Sequence, residues 1–224
     1  MQSSGIRAIF WDFGGVIAES PFDAMNRYEA SRGLPRDFLR MTNARNPDTN
    51  AWALFERGEI SLEEFDQRFL EETRARGHAV PGRELLPLLS VRVRPEMVRV
   101  LDALSSCYLQ ACLTNNLPVG QGAGMSRDSA HAATVEEAMR RFAFVLESSK
   151  AGARKPEPAF YQQACRMARV SPSEVVFLDD LGVNLKPARA LGMHTIKVVE
   201  TMEAVASLEQ LLKRPLLEAF HGDS

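Results

Sequence analysis

A doubly wound α/β fold with a helical insertion follows from three features of the sequence. Short apolar runs end on glycine or polar residues, helical patterns separate the later runs, and residues 18–90 carry helix signals without strand signals. Residues 6–11 form the first run, rich in β-formers, and it stops at Asp12-Phe13-Gly14-Gly15. That is the pattern of a buried strand entering a glycine turn. In the helical stretch, Phe22, Met25 and Tyr28 share one face, and Trp52, Leu54 and Phe55 follow. Ser61-Leu62-Glu63-Glu64 then has the form of a capping box. Trp52 and Phe55 are expected to join the inserted helices to one another.

Strand signals return at residues 108–113, 142–146, 175–178 and 194–199. The first of these ends at Thr114-Asn115-Asn116 and the third at Asp179-Asp180-Leu181-Gly182. Helices are predicted over 159–168 and 185–191, the latter closed by Gly192 beyond its C-terminus. Alternating strand and helix implies right-handed crossovers and a parallel sheet with helices on both faces. Residues 117–133, glycine-rich and polar, read as a mobile loop. The expected organisation is a core domain of residues 1–17 and 91–224, interrupted by a helical cap domain of residues 18–90. No internal repeat or low-complexity tract is present.

The bulk numbers narrow the function classes. With 224 residues, 45% apolar and 25% charged, the chain buries a core and stays soluble, which excludes disorder as its main state. A net charge of -2 and scattered basic residues give no basis for a nucleic-acid or anionic-membrane partner. Arg36 and Arg40 read as parts of solvated faces. Cys107, Cys112 and Cys165 are too few and too irregular for a disulfide framework or zinc site. Cys107 and Cys112, in or beside an apolar run, are expected to be buried, reduced thiols. No apolar stretch approaches the roughly 20 residues that span a bilayer. The opening Met-Gln-Ser-Ser-Gly lacks the basic and apolar regions of a secretory signal, so a reduced cytoplasm is the expected compartment. His78, His131, His194 and His221 show no metal-ligand spacing and are expected at the surface or in packing. Trp11 is expected to pack. Nothing in the sequence fixes an oligomeric state.

The chemistry collects where strands end. Asp12 closes the first strand, Thr114 and Asn115 the second, Asp179 and Asp180 the third, with Lys155 between the last two. In an open parallel sheet the carboxyl ends of the strands form the ligand crevice. Taken singly, each of these residues fits an ordinary turn or helix cap. Taken together they place carboxylates, a hydroxyl and an ammonium in one crevice.

Four stretches carry a resemblance: residues 9–17 around Asp12, Leu113-Thr114-Asn115-Asn116, Arg154-Lys155-Pro156-Glu157, and Val176-Phe177-Leu178-Asp179-Asp180 with Asn184. In this order they resemble the haloacid dehalogenase-like superfamily, in particular its phosphatases with a helical cap inserted after the first motif. Several are similar to the N-terminal phosphatase domain of soluble epoxide hydrolases and to bacterial sugar-phosphate phosphatases. The resemblance spans nearly the whole chain and is weakest in the cap and in residues 117–133. It implies a Rossmann-like core and an Mg²⁺-dependent phosphatase acting on a small phosphorylated metabolite. Asp12 would attack phosphorus and become a transient aspartyl phosphate. Lys155 would neutralise the phosphoryl oxygens and orient Asp12. The Thr114 hydroxyl and the backbone N–H groups from Asn115 onward would bind those oxygens in the manner of a helix N-terminus. The Mg²⁺ would be held by Asp12, the Gly14 carbonyl and Asp180, with Asp179 behind them. Lys150 lacks the following Pro-Glu and reads as a loop cation.

One position departs from the pattern. Most such phosphatases carry a second aspartate two residues after the nucleophile, which protonates the leaving group; here it is Gly14. General acid–base help is typically worth about 10²–10⁴-fold. Turnover is therefore expected to need a good leaving group, such as an acyl or anomeric phosphate, or a proton relay through Glu19, Ser20 or water. The alternatives are a metal-independent carbon–halogen hydrolase, whose halide leaves without a proton, and a low-activity regulatory or binding member. The acidic pair Asp179-Asp180 weighs against the first. Receiver domains share the ingredients but place the acidic pair before the acceptor aspartate, the reverse of the order here.

Overall fold

The computed structural model describes residues 5–119, 125 and 129–216. Its strands are β1 (Ala8–Trp11), β2 (Leu109–Thr114), β3 (Phe144–Glu147), β4 (Val175–Asp179) and β5 (His194–Lys197). They form one parallel sheet in the order β3-β2-β1-β4-β5. Trp11 lies level with Cys112 on one side and Leu178 on the other, so the ends of β1, β2 and β4 open at one place. The chain runs outward from β1 to β3, then crosses back to β4 and β5. The crevice at that reversal is where doubly wound sheets bind ligands.

Between β1 and β2 lie α1 (Pro21–Ser31), α2 (Phe38–Asn43), α3 (Ala51–Glu56), α4 (Leu62–Arg74), a 3₁₀ segment (Gly82–Leu89) and α5 (Pro95–Leu104). The later helices are α6 (Ser129–Met139), α7 (Ser148–Ala151), α8 (Pro158–Ala168), α9 (Gly182–Ala190) and α10 (Thr201–Leu212), with a 3₁₀ turn at Pro172–Glu174. Local chemistry sets several starts. Proline occupies the first turn of α1, α5 and α8, where its missing N–H costs nothing. The capping box of α4 forms as expected: the Glu64 N–H donates to Ser61 Oγ at 3.2 Å and the Ser61 N–H to Glu64 Oε2 at 3.3 Å. Gly192 follows α9 with φ +101°, as its role beyond the helix end requires.

Both faces of the sheet are buried, which accounts for the unbroken apolar runs of its inner strands. Ile9, Trp11, Cys112, Val176 and Leu178 pack against α5 and α10, while Phe10, Leu113, Val175 and Phe177 pack against α8 and α9. Trp11 is thus a core residue. The inserted helices have their own core, in which Phe55 stacks on Phe65 with centroids 4.6 Å apart and Trp52 meets Phe65 edge-on at 5.8 Å. Each buried side chain of this kind contributes about 1.5–3 kcal/mol. An exposed pair such as Arg68–Glu64 contributes roughly 0–1 kcal/mol. Aromatic burial therefore holds the insertion together. Its entry and exit lie side by side: the Glu19 N–H donates to the Arg92 carbonyl at 2.8 Å and the Arg94 N–H to that of Ile17 at 2.9 Å.

Several expectations need correction. Residues 129–133 belong to α6 and are not loop; residues 120–124 and 126–128 of the expected loop lie outside the described residues. Lys150 lies in the one-turn α7, where its ammonium pairs with Glu147 at 2.6 Å. Helix α9 begins at Gly182, earlier than its apolar periodicity suggests, because Asp179 accepts the Leu181 N–H and pulls the turn closed. Cys107 is exposed, since it sits in the turn between α5 and β2; Cys112 is buried. Among the described residues no helix is long and apolar enough to cross a membrane.

Candidate active site

The end of β1 delivers Asp12 into the crevice, where its Oδ1 accepts the Phe13 N–H at 2.7 Å. Gly15 has φ +82°, and a β-carbon there would collide with the Asp180 carboxylate. Glycine thus lets the first turn close against the end of β4. Lys155, buried ahead of α8, places Nζ 2.6 Å from Asp12 Oδ1 and 2.9 Å from Asp179 Oδ2. Asp179 is further held by the Leu181 N–H at 2.8 Å and by Asn184 Nδ2 at 3.0 and 3.1 Å. Its oxygens are therefore well supplied with donors, and Asp12 and Asp180 are the carboxylates that face the crevice.

The electrostatics follow from burying three carboxylates around one ammonium. Burial alone would push the Lys155 ammonium down, but Asp12 and Asp179 outweigh it and hold the lysine charged. Burial raises Asp12 well above the usual carboxylate range; Lys155 opposes this, and Asp179 and Asp180 add to it. Burial, then the neighbouring Asp179, pushes Asp180 up to about 6. Oxygens of Asp12, Asp179 and Asp180 all lie within 4.8 Å of one another. Crowded carboxylates of this kind suit a hard divalent cation bound through oxygen.

Thr114, at the end of β2, is buried and lines the same cavity as Asp12, Gly14, Lys155 and Asp180. Asn115 lines the cavity too, and its side chain has a task apart from the backbone contact expected of this residue. Its Oδ1 accepts the Lys155 N–H at 2.9 Å, and its Nδ2 donates to the Lys155 carbonyl at 2.9 Å and to Glu56 Oε2 at 3.3 Å. The side chain is a clip on the Lys155 backbone. Residues 115–119 do not start a helix either. The Asn116 N–H donates to Ser148 Oγ at 3.0 Å and the Leu117 N–H to Met125 Sδ at 3.1 Å, so neither points to a ligand.

The cavity, about 490 Å³, lies between the strand ends and the inserted helices. Its floor is polar, whereas Phe22, Met25, Trp52, Leu89 and Leu117 make its walls largely apolar. Arg36 and Arg40 are both exposed, as expected, and Arg40 also borders the cavity and stacks on Phe22, 4.8 Å from the ring centroid. Gly14 lines the cavity, and a β-carbon on it would meet only the Pro21 ring, 3.4 Å from Cδ. Neither Glu19 nor Ser20 lines the cavity; Glu19 is exposed, and Ser20 Oγ caps α1 by accepting the Phe22 N–H at 3.4 Å. His78 packs edge-on against Phe38, centroids 5.0 Å apart, and His194 starts β5 on the exposed side. His221 and the side chain of His131 lie outside the described residues. The sequence assigned no site role to Glu56, Arg154 or Arg40, all of which border the cavity.

A parallel sheet carrying a buried aspartate, a lysine between two carboxylates and an inserted helical unit makes this an α/β protein with its polar groups gathered at the strand ends. A family model described as haloacid dehalogenase-like hydrolase matches residues 6–192, and the chain belongs to that family. It is similar to mouse (Mus musculus) acyl-CoA dehydrogenase family member 10, with 33% identity over 94% of this chain and 19% of that protein. It is also similar to mouse bifunctional epoxide hydrolase 2, with 30% identity over 96% of this chain and 40% of that protein. The chain thus spans less than half the length of either relative. Among solved structures, a predicted HAD-like hydrolase from Porphyromonas gingivalis superposes with TM-score 0.67 at 23% identity, covering 94% of this chain and 99% of that one. A HAD family enzyme from Bacteroides thetaiotaomicron, in complex with magnesium and inorganic phosphate, superposes with TM-score 0.57 at 20% identity, covering 87% of this chain and 96% of that one. The protein is a hydrolase of the HAD-like fold.

Proposed function

We propose that this hydrolase is an Mg²⁺-dependent phosphatase that takes the phosphoryl group of a small substrate onto Asp12. The observation that carries the reading is the Lys155 ammonium held between Asp12 and Asp179, with the Asp180 carboxylate beside them. The Bacteroides relative's complex with magnesium and inorganic phosphate supports it. In this reading residues 18–90 act as a cap domain on a core of residues 1–17 and 91–224. A reduced cytoplasm fits the free cysteines of the described chain.

The steps follow from the geometry. An ionised Asp12 oxygen attacks phosphorus in line with the ester oxygen, and the P–O bond to that oxygen breaks with its electron pair. Lys155 holds Asp12 in place and draws charge from the phosphoryl oxygens, while the Thr114 hydroxyl donates to one of them. Asp12, Asp180 and the Gly14 carbonyl would hold Mg²⁺, which would supply the charge neutralisation that a carboxylate needs to approach a phosphate dianion. Water then cleaves the aspartyl phosphate. With Gly14 at the usual acid position, and with Glu19 and Ser20 outside the cavity lining, the leaving group departs without a proton from those residues. That favours acyl or anomeric phosphates, whose leaving groups need little protonation. The apolar walls suit an uncharged body on the substrate. Carbon–halogen hydrolysis, which needs no divalent cation, gives the acidic trio no task.

The test is phosphate release from a panel of acyl, anomeric and alkyl phosphates. Acyl and anomeric members should be hydrolysed with Mg²⁺, lose activity with a chelator, and regain it when Mg²⁺ is restored. Hydrolysis indifferent to the chelator would overturn the reading.

A further inference from the structure

Glu56 ends α3, 98 residues before the Arg154 it meets, and its carboxylate is buried where the inserted helices touch the core. Oε2 accepts from Arg154 Nε at 2.5 Å and from Asn115 Nδ2 at 3.3 Å, while Oε1 accepts from Trp52 Nε1 at 2.8 Å. The carboxylate therefore has donors from its own helix, from the end of β2 and from the segment carrying Lys155. Asn115 passes the restraint on, because its amide brackets the Lys155 backbone with two bonds of 2.9 Å. Lys155 in turn spans Asp12 and Asp179. A continuous line of hydrogen bonds thus joins an inserted helix to the proposed nucleophile.

The neighbouring contacts fix the same edge. Arg154 Nη1 donates to the Pro47 carbonyl at 3.1 Å, and Arg57 Nη1 reaches Glu157 Oε1 at 3.4 Å. Gly58, at φ +69°, approaches so closely that a β-carbon would lie 2.8 Å from the Ser149 carbonyl oxygen. Buried ion pairs add little net stability over apolar packing of equal volume. Aromatic burial already holds the insertion together. What the Glu56–Arg154 pair adds is position, and the position it sets is that of the Lys155 segment.

We infer that Glu56 is a positioning residue, which couples docking of the inserted helices to placement of Lys155 through Asn115. The catalytic part of this inference rests on the phosphatase reading; the structural coupling does not. Glu56 touches neither the reacting atoms nor Asp12. Its effect belongs in kcat, since misplacing a charge at the nucleophile by about 1 Å can cost 10²-fold in rate.

Two readouts test this in the intact chain. Amide exchange at Lys155, whose N–H bonds Asn115, reports the clip without any substrate. Glu56→Ala should accelerate that exchange at least about tenfold more than exchange in α8 and α10, and Glu56→Gln, which keeps an oxygen for Asn115, should fall between it and the parent. On the best substrate of the panel, kcat should drop about 10²-fold for Glu56→Ala with KM changed less than about twofold, and Glu56→Gln should recover part of the loss. If Glu56→Ala does not fold, Glu56→Gln carries both measurements. Unchanged Lys155 exchange, or equal acceleration throughout the chain, would overturn the inference. If the parent hydrolyses no phosphate, the functional reading fails, and the exchange experiment still decides the coupling.

Discussion

A carboxylate two positions after a phosphoryl-accepting aspartate could protonate the leaving oxygen, and in this chain that position is Gly14. The local structure does not demand glycine there. Unlike Gly15, Gly14 has no left-handed backbone, and its missing β-carbon would contact only Pro21 at an ordinary 3.4 Å. A β-carbon fits there, and in the phosphatase reading the missing acid limits which leaving groups depart. Gly14→Asp should therefore fold and should raise kcat on alkyl phosphates, by up to about 10²-fold, while acyl phosphates change little. Steady-state kinetics on the two classes checks this. Equal effects on both would mean that residue 14 serves another geometry.

At the scale of elements, the strands and their polar ends were legible because interior parallel strands are buried on both faces. β1 and β4 are fully buried and stand out as apolar runs that stop at Asp12 and at Asp179-Asp180. The edge strand β3 was harder to place: Phe142 is buried yet packs from the preceding turn, so the strand starts two residues later than its apolar pattern. The start of α9 was hidden because the residue before it, Leu181, is held by the side chain of Asp179 and not by a capping side chain of its own. Cys107 looked buried beside an apolar run, and only the turn geometry exposes it. Of the candidate site, Asp12, Thr114, Asp179 and Asp180 converge as their strand-end positions suggested, and Lys155 joins them from the loop ahead of α8. Glu56 gave no local signal, since its partners Asn115 and Arg154 are 59 and 98 residues away and its neighbours Trp52 and Phe55 pointed only to packing among the inserted helices. Asn115 was legible only in part: its place after β2 suggested a ligand contact through its N–H, and nothing local announced that its side chain brackets the Lys155 backbone.

At the scale of the whole molecule, the folded chain gathers its acids against their own repulsion. Asp180 has a folded pKa of about 6, above its ordinary 3.8, and Asp12 is also raised. The stability linked to such groups is complete below the ordinary carboxylate range and is lost as pH rises through the folded value. A cation bound by the ionised carboxylates restores it, and protons compete with that cation at low pH. Mg²⁺ should therefore raise the melting temperature more at about pH 7.5 than at about pH 5. An equal shift at both, or none, would place the metal elsewhere. The long mouse relatives join a segment like this one to further sequence, so only the chemistry of the shared segment bears on this chain. In the phosphatase reading that chemistry turns on Asp12. The most direct measurement is to mix the protein with Mg²⁺ and an acyl phosphate, quench in acid, and map the phosphoryl group by peptide mass. The account predicts it on the peptide containing Asp12, and nowhere in Asp12→Asn, which should fold but not turn over; a phosphoryl group on another residue, or near-parental turnover by Asp12→Asn, would contradict it.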